Sequence, residues 1–190
     1  MRSLKELYAK GLIADKSVHQ RDELEDSETS NMPNNDHKPQ ILIVDDEPSN
    51  IRMLSAGLRE NYEISVATDG HQAIEFAEKN AATLDLILLD IVMPGLSGYN
   101  VCSAIKRNKE TKNIPIIFIT AKTTPESEAK GFELGAVDYI AKPFNLPVVQ
   151  ARVDTHATLK AHSDLLKKLV SEQSAKVRKY EKEYKRLFKK

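Results

Sequence analysis

Three carboxylates, Asp45, Asp46 and Glu47, follow one another directly after the apolar run "ILIV" and directly before Pro48. A fourth, Asp90, closes the run "LDLILLD"; Thr120 closes "IPIIFIT", and Lys142, followed by Pro143, closes "AVDYIAK". Carboxylates brought into contact cannot all stay ionised without a cation. A purely oxygen donor set selects a hard ion, and Mg²⁺ is the usual one where one or two carboxylates meet a phosphate. With such a site assembled, one carboxylate can act as a nucleophile on phosphorus, giving an acyl phosphate. A lysine ammonium and a hydroxyl can then share the charge on the transferring phosphoryl oxygens. Asp90 is the nucleophile candidate, because it ends a strand and the loop "IVMPGLSG" follows it. Each feature is ordinary alone: an Asp pair after a strand often only caps a helix, and a lone Thr or Lys at a strand end means little. Their joint occurrence at four run ends is what points to phosphoryl chemistry. Asp69 and Asp138 read instead as a helix cap and a strand-edge residue.

The elements that must position these groups alternate along the chain. Apolar runs of strand length occur at "ILIVD", "YEISVA", "LDLILLD", "IPIIFIT" and "AVDYIAK". Segments of helical period lie between them at "NIRMLSAGLREN", "HQAIEFAEKN", "GYNVCSAIKRN" and "ESEAKGFELG". Asp69 is placed to cap the second helix, Thr124-Pro125 gives a cap followed by proline in the first turn, and Gly135 ends that helix. Strands alternating with helices imply right-handed crossovers and a parallel sheet covered on both faces. The uninterrupted runs "ILIV", "LILL" and "IIFI" fit strands buried on both sides. The expected fold is a doubly wound α/β domain with a five-stranded parallel sheet over 40–150, flavodoxin-like in the strand order 2-1-3-4-5. Ligands of such sheets sit beyond the carboxyl ends of the strands, so Asp45, Asp46, Asp90, Thr120 and Lys142 should converge along one edge. Cys102, Met53 and Leu54 read as core packing, and His71, His156 and His162 as surface residues without zinc-like spacing.

The motifs "ILIVDDEP", "LDLILLDIVMPGLSGYN", "PIIFITA" and "DYIAKPF", in that order, resemble the receiver domain of two-component response regulators, with no departure at the five motif positions. The resemblance implies that Asp46, Asp90 and the backbone carbonyl of Val92 bind Mg²⁺ and that Asp45 holds a metal-bound water. Asp90 would take a phosphoryl group from a phosphohistidine on a sensor histidine kinase or phosphotransfer protein. Lys142 would pair with Asp90 or its phosphoryl group. Thr120 would swing to hydrogen-bond that group, and Tyr139 would follow inward as a second switch residue. The family's Lys-Pro bond is cis, so Lys142-Pro143 should be as well.

Beyond the domain, Lys+Arg and Asp+Glu both number 28 over 190 residues, but the balance hides a gradient. Basic and acidic residues stand at 6 and 8 in 1–40, at 10 and 15 in 41–150, and at 12 and 5 in 151–190. Residues 1–39 read as a flexible extension, with one short amphipathic stretch at 3–12 that gathers Leu4, Leu7, Tyr8 and Leu12. With one cysteine, no intramolecular disulfide is possible; no apolar run approaches membrane-spanning length, and the expected location is cytoplasmic. From Leu159 a seam runs through Ser163, Leu166, Val170, Gln173, Val177, Tyr180, Tyr184 and Leu187 in steps of 4 and 3. Seven of these nine are apolar, the pattern of a coiled coil. It reads as a stalk at 151–190 that continues the last receiver helix and dimerises through 159–190, with Gln173 setting register. Such continuations resemble receivers joined to cyclic-di-GMP enzymes or histidine kinases, although no such output domain is present, so the chain is not expected to be a metabolic enzyme. Two other readings compete. One is a DNA-binding regulator using the basic helix, although the basic residues lie along the seam rather than in a block ahead of it. The other is a Mg²⁺-dependent phosphatase, which would need an acid/base Asp where Ile91 and Val92 stand.

Overall fold

The computed structural model describes residues 38–121 and 124–188, the last two without their side chains; the stretch at 3–12 lies outside them. The elements are β1 (Gln40–Val44), α1 (Pro48–Leu58), β2 (Glu63–Ala67), α2 (Gly70–Lys79), β3 (Leu84–Leu89), α3 (Gly98–Arg107), β4 (Ile116–Thr120), α4 (Pro125–Glu133), β5 (Asp138–Ala141) and α5 (Leu146–Phe188). The strands form one parallel sheet in the order β2-β1-β3-β4-β5. This is the doubly wound, flavodoxin-like order expected of the chain.

Side chains of the inner strands divide between two apolar layers because consecutive residues of a strand point to opposite faces. Ile41, Ile43, Leu86, Leu88, Ile117 and Ile119 meet Leu54 and Leu58 of α1 and Val149, Val153 and Ala157 of α5. Leu42, Val44, Ile87, Leu89, Ile116 and Phe118 meet Ala73 and Ala77 of α2 and Val101, Cys102 and Ile105 of α3. Each fully buried Leu or Ile contributes roughly 1.5–3 kcal/mol, so these two layers fix where the strand ends lie. Leu54 and Cys102 are core, as expected, but Met53 is not: it is 48% exposed. Leu54 and Leu58, one turn apart, claim the buried stripe of α1, and Met53 is rotated about 100° away from Leu54 toward solvent.

The helix ends are closed by the residues that the sequence marks. The Asp69 carboxylate accepts the backbone N–H groups of His71 and Gln72, and the Thr124 hydroxyl accepts that of Ser127 with Pro125 in the first turn. Gly135 ends α4 with a φ of 94°, a conformation that disfavours side chains. At α5 the carbonyl of Asn145 accepts the N–H groups of Val148 and Val149.

The first three turns of α5 are bound to the body by more than apolar contact. Tyr62, at the end of the α1–β2 turn, donates its hydroxyl to Asp154, and the Gln150 amide donates to the carbonyl of Gly57 at 2.7 Å. A Cβ at Gly57 would lie 2.8 Å from a methyl of Leu146, which would have to shift slightly to admit it. Past Ala157 the helix continues without interruption to Phe188, with Leu159, Leu166, Val170, Val177, Tyr180 and Tyr184 all more than half exposed. No helix among the described residues is long and apolar enough to cross a membrane.

Candidate functional site

The carboxyl ends of β1 and β3 adjoin because the two strands pair, Val44 opposite Leu89. The next residue of each chain segment is therefore an aspartate in the same place: Asp45, 2% exposed, and Asp90, 6% exposed. Asp46 is exposed beside them. A carboxylate oxygen of each of the three lies within 4.8 Å of the others. β4 and β5 bring the remaining pair: Thr120 is fully buried, and its carbonyl accepts the backbone N–H of Lys142 at 2.9 Å. The Lys142-Pro143 bond is cis.

From that position the Lys142 ammonium donates to Asp90 Oδ2 at 2.5 Å and to Asp45 Oδ2 at 2.7 Å. The sequence reading gave it only Asp90. Burial alone would lower the Lys142 ammonium, but its bonds to Asp45 and Asp90, and their charges, prevail and hold it above its usual range. The other carboxylate oxygens are held by neighbours. Asp90 Oδ1 accepts the N–H of Val92 at 3.0 Å. Asp45 Oδ1 accepts the N–H of Glu47 at 2.9 Å, and the Asn50 amide donates to both oxygens of Asp45 at 3.1 Å and to Glu47 at 3.0 Å. Asn50 was not singled out in the sequence. Its only signal was its place in the first turn of the helix that leaves the acidic run.

The loop after Asp90 is shaped by glycine twice. Gly95 has a φ of 75°. Gly98, the first residue of α3, lies so close under the loop that a Cβ there would stand 2.1 Å from the carbonyl oxygen of Asp90. Its N–H also donates to the carbonyl of Ile91 at 3.0 Å. Gly98 thus presses the helix start against the backbone that carries Asp90.

Tyr139 is buried, with its ring edge-on to Phe118 at 6.2 Å; Phe118 meets Tyr99 in the same manner at 5.5 Å. Gly131 makes room for the Phe118 ring. The Tyr139 hydroxyl meets no hydrogen-bond partner among the described residues. Burial, and then the surrounding Tyr99, Glu128 and Asp90, push it up to about 12. The Tyr99 hydroxyl, by contrast, donates to the carbonyl of Ser127 at 2.9 Å.

Of the residues set aside as non-functional, His71 and His162 are exposed as expected. His156 is not a free surface residue: its Nε2 lies 3.2 Å from Asp138, whose other oxygen accepts the Arg152 guanidinium at 2.5 Å. A helix period of 3.6 places Arg152 and His156 on one face of α5, and β5 brings Asp138 to it from a distance in sequence that no local pattern reveals.

The arrangement gathers three carboxylates that could hold a cation, a nucleophile candidate among them and a lysine bonded to both buried acids. Comparison with known proteins identifies the family. The family model of the response regulator receiver domain matches residues 41–154. A probable cyclic di-GMP phosphodiesterase of Vibrio cholerae is 50% identical over 126 residues, which is 66% of this chain and 28% of that protein. The response regulator PleD of Caulobacter vibrioides is 39% identical over 128 residues, 67% of this chain and 28% of that protein. The chain thus spans just over a quarter of the length of these two curated relatives. Among solved structures, the receiver domain of the Pseudomonas aeruginosa sensor histidine kinase PA1611, with a magnesium ion in its active site cleft, is 31% identical. It superposes with a TM-score of 0.59 over 64% of this chain and 98% of that one. The order of the strands, the acids at their ends and the match across 41–154 lead to one assignment: this chain belongs to the response regulator receiver family.

Proposed function

We propose that Asp90 is a phosphoacceptor, taking a phosphoryl group from the phosphohistidine of a sensor histidine kinase or phosphotransfer protein. An oxygen of Asp90 attacks phosphorus, the P–N bond breaks, and the departing imidazole keeps the bonding pair and takes up a proton. The observation that carries this reading is the joint placement of Asp45, Asp46 and Asp90 within 4.8 Å with Lys142 bonded to two of them. The cluster fits a hard divalent cation, since every side-chain donor is a carboxylate oxygen and two of the three are almost fully buried. Asp46, Asp90 and the carbonyl of Val92 would hold Mg²⁺, with Asp45 reaching it through water. Bound there, Mg²⁺ supplies the positive charge that lets an anionic donor approach three acids.

Lys142 keeps a cation beside Asp90 and can follow the charge onto the phosphoryl oxygens. Thr120 would supply its hydroxyl to that group, and Tyr139, already buried, would serve as the second switch residue. The signal would leave through α5, whose exposed seam suits pairing with a second copy. An output on cyclic di-GMP in a longer protein is supported by the named activity of the Vibrio cholerae relative. In that reading this chain carries no metabolic activity of its own, and its place is the cytoplasm.

Labelling by acetyl phosphate in the presence of Mg²⁺ tests the proposal. The wild-type chain should take up one phosphoryl group, and Asp90→Asn none; labelling that survives in Asp90→Asn moves the nucleophile elsewhere. Calorimetry supplies a second check: Mg²⁺ uptake by the wild type should be lost in Asp46→Ala. The alternative, duplex DNA binding by the basic helix, would show as an affinity that falls steeply with salt.

A further inference from the structure

Resting on the reading of α5 as a pairing helix, we infer that two copies of this chain join in parallel and in register from Leu159 onward, with Gln173 facing the partner's Gln173. The face of α5 that meets the body and the face that carries the seam are different. At 100° per residue, Val149, Val153 and Ala157 centre on one direction, and the seam from Leu159 to Tyr184 centres about 130° away. Core packing of α5 ends at Ala157; Leu159, Lys160 and Ser163 then border a hollow whose other wall is Asn113, Pro115 and Val137. From Leu166 onward, where Leu166, Val170, Val177 and Tyr180 are all more than half exposed, a second helix can lie along the seam without displacing the receiver that carries it. Leu159, Leu166, Val170, Val177 and Tyr180 are each 55–68% exposed, a largely apolar stripe broken only by Ser163 and Gln173 between Leu159 and Tyr180.

Orientation follows from the polar members of the stripe and from the charges beside it. In a parallel, in-register pair each seam residue meets its own copy. Gln173 then meets Gln173, and two amides satisfy each other's donors and acceptors; Ser163 does the same with its hydroxyl. Lys176 and Glu181 occupy the flanking positions that face each other between parallel chains, five residues apart, so each pair of helices gains two opposite-charge contacts. The antiparallel arrangement that covers the same stripe sets Leu166 opposite Val177, Ser163 opposite Tyr180 and Gln173 opposite Val170. Both Gln173 amides are then buried against valine without partners, which is costly. That arrangement brings His162 toward Glu183, but its other attraction, Lys160 toward Glu181, is blunted. The Lys160 side chain is only 12% exposed and already bonds to Asp164.

Cysteine cross-linking of the full chain, followed by sedimentation, decides the matter. The native Cys102 is fully buried, and burial pushes its thiol up to about 11, so it stays out of the reaction. Leu166→Cys and Tyr180→Cys, each alone and oxidised with copper phenanthroline, should form homodimeric disulfides, and Ala175→Cys, on the far side of the helix, should not. Lys176→Glu should raise the dimer dissociation constant roughly tenfold, and adding Glu181→Lys should restore it. A chain that sediments as a dimer while neither seam cysteine links to its own copy overturns the parallel register and leaves pairing intact. A wild-type chain that stays monomeric, both with and without Mg²⁺ and beryllofluoride, overturns the pairing as well, while Asp90 labelling continues to report separately on the phosphoryl site.

Discussion

Replacing Lys142 by methionine isolates what the ammonium does for the folded receiver. The side chain is 17% exposed and stands 2.5 Å and 2.7 Å from two carboxylates that are 7% and 2% exposed. Methionine keeps most of the volume and the stem but leaves Asp45 and Asp90 facing each other beside Asp46. Removing one partner of a buried ion pair costs about 3–5 kcal/mol. The low end applies here, since Asp46 opens the cluster to water. The matched domain has 114 residues. At about 2.1 cal/mol/K of unfolding entropy per residue, a loss of ~3 kcal/mol lowers Tm by about 12 °C. The assay is thermal unfolding followed by circular dichroism in EDTA and again in Mg²⁺. Lys142→Met should unfold about 12 °C early in EDTA, and Mg²⁺ should stabilise it more than it stabilises the wild type, because the cation replaces the missing charge; saturation at 100 times Kd is worth about 2.7 kcal/mol. The double variant Lys142→Met with Asp90→Asn should recover part of the loss. A Lys142→Met protein that unfolds with the wild type in EDTA would show that these acids need no counter-charge, and the electrostatic account of the site would fail.

Other expectations test separate contacts. Gly98→Ala forces a methyl against the backbone of Asp90 and Ile91; it should cost about 1–3 kcal/mol and slow phosphoryl labelling. Gly57→Ala meets only the tip of Leu146 and should cost less in the same denaturant titration. Tyr62→Phe removes the hydroxyl bound to Asp154 and should destabilise by about 1 kcal/mol, whereas Tyr139→Phe removes a buried hydroxyl without a described partner and should be neutral or stabilising; equal losses in urea would refute the distinction. Asp138 supplies a pH test. Burial would raise its carboxyl, but Arg152, the Tyr139 N–H and His156 outweigh this and hold it lowered. Its stabilisation is therefore present at neutral pH, above the unfolded value, and is lost as pH falls through the lower native value. Acid titration of stability below about pH 4 should be less steep for Asp138→Asn than for the wild type.

The site was largely legible because its members sit at the ends of apolar runs, and a parallel sheet turns run ends into neighbours. Asp45, Asp46, Asp90, Thr120 and Lys142 needed only that rule. The contact between Lys142 and Asp45 was hidden, since a strand pattern fixes where a lysine starts but not which of two acids its four-carbon stem reaches. Gly98 looked like an ordinary helix start; its closeness to the Asp90 carbonyl depends on how the loop folds back. The Tyr62–Asp154 bond and the Asp138–Arg152–His156 cluster join residues brought together by tertiary packing, where no periodicity reports. Met53 was misplaced by its apolar character alone, although Leu54 and Leu58 already fill the stripe that faces the sheet.

The last helix has no joint between the receiver and its far end. From Ala157, the last residue of α5 packed in the core, to Arg186 it runs 29 residues, about 44 Å at 1.5 Å per residue. It is a lever arm whose fulcrum is Leu146, Val149 and Val153. A tilt of about 5° at that root displaces the tip by roughly 4 Å, most of a helical turn. Under the proposed function, a rearrangement around Asp90 too small to alter the sheet would be read out at a distance as a change of spacing.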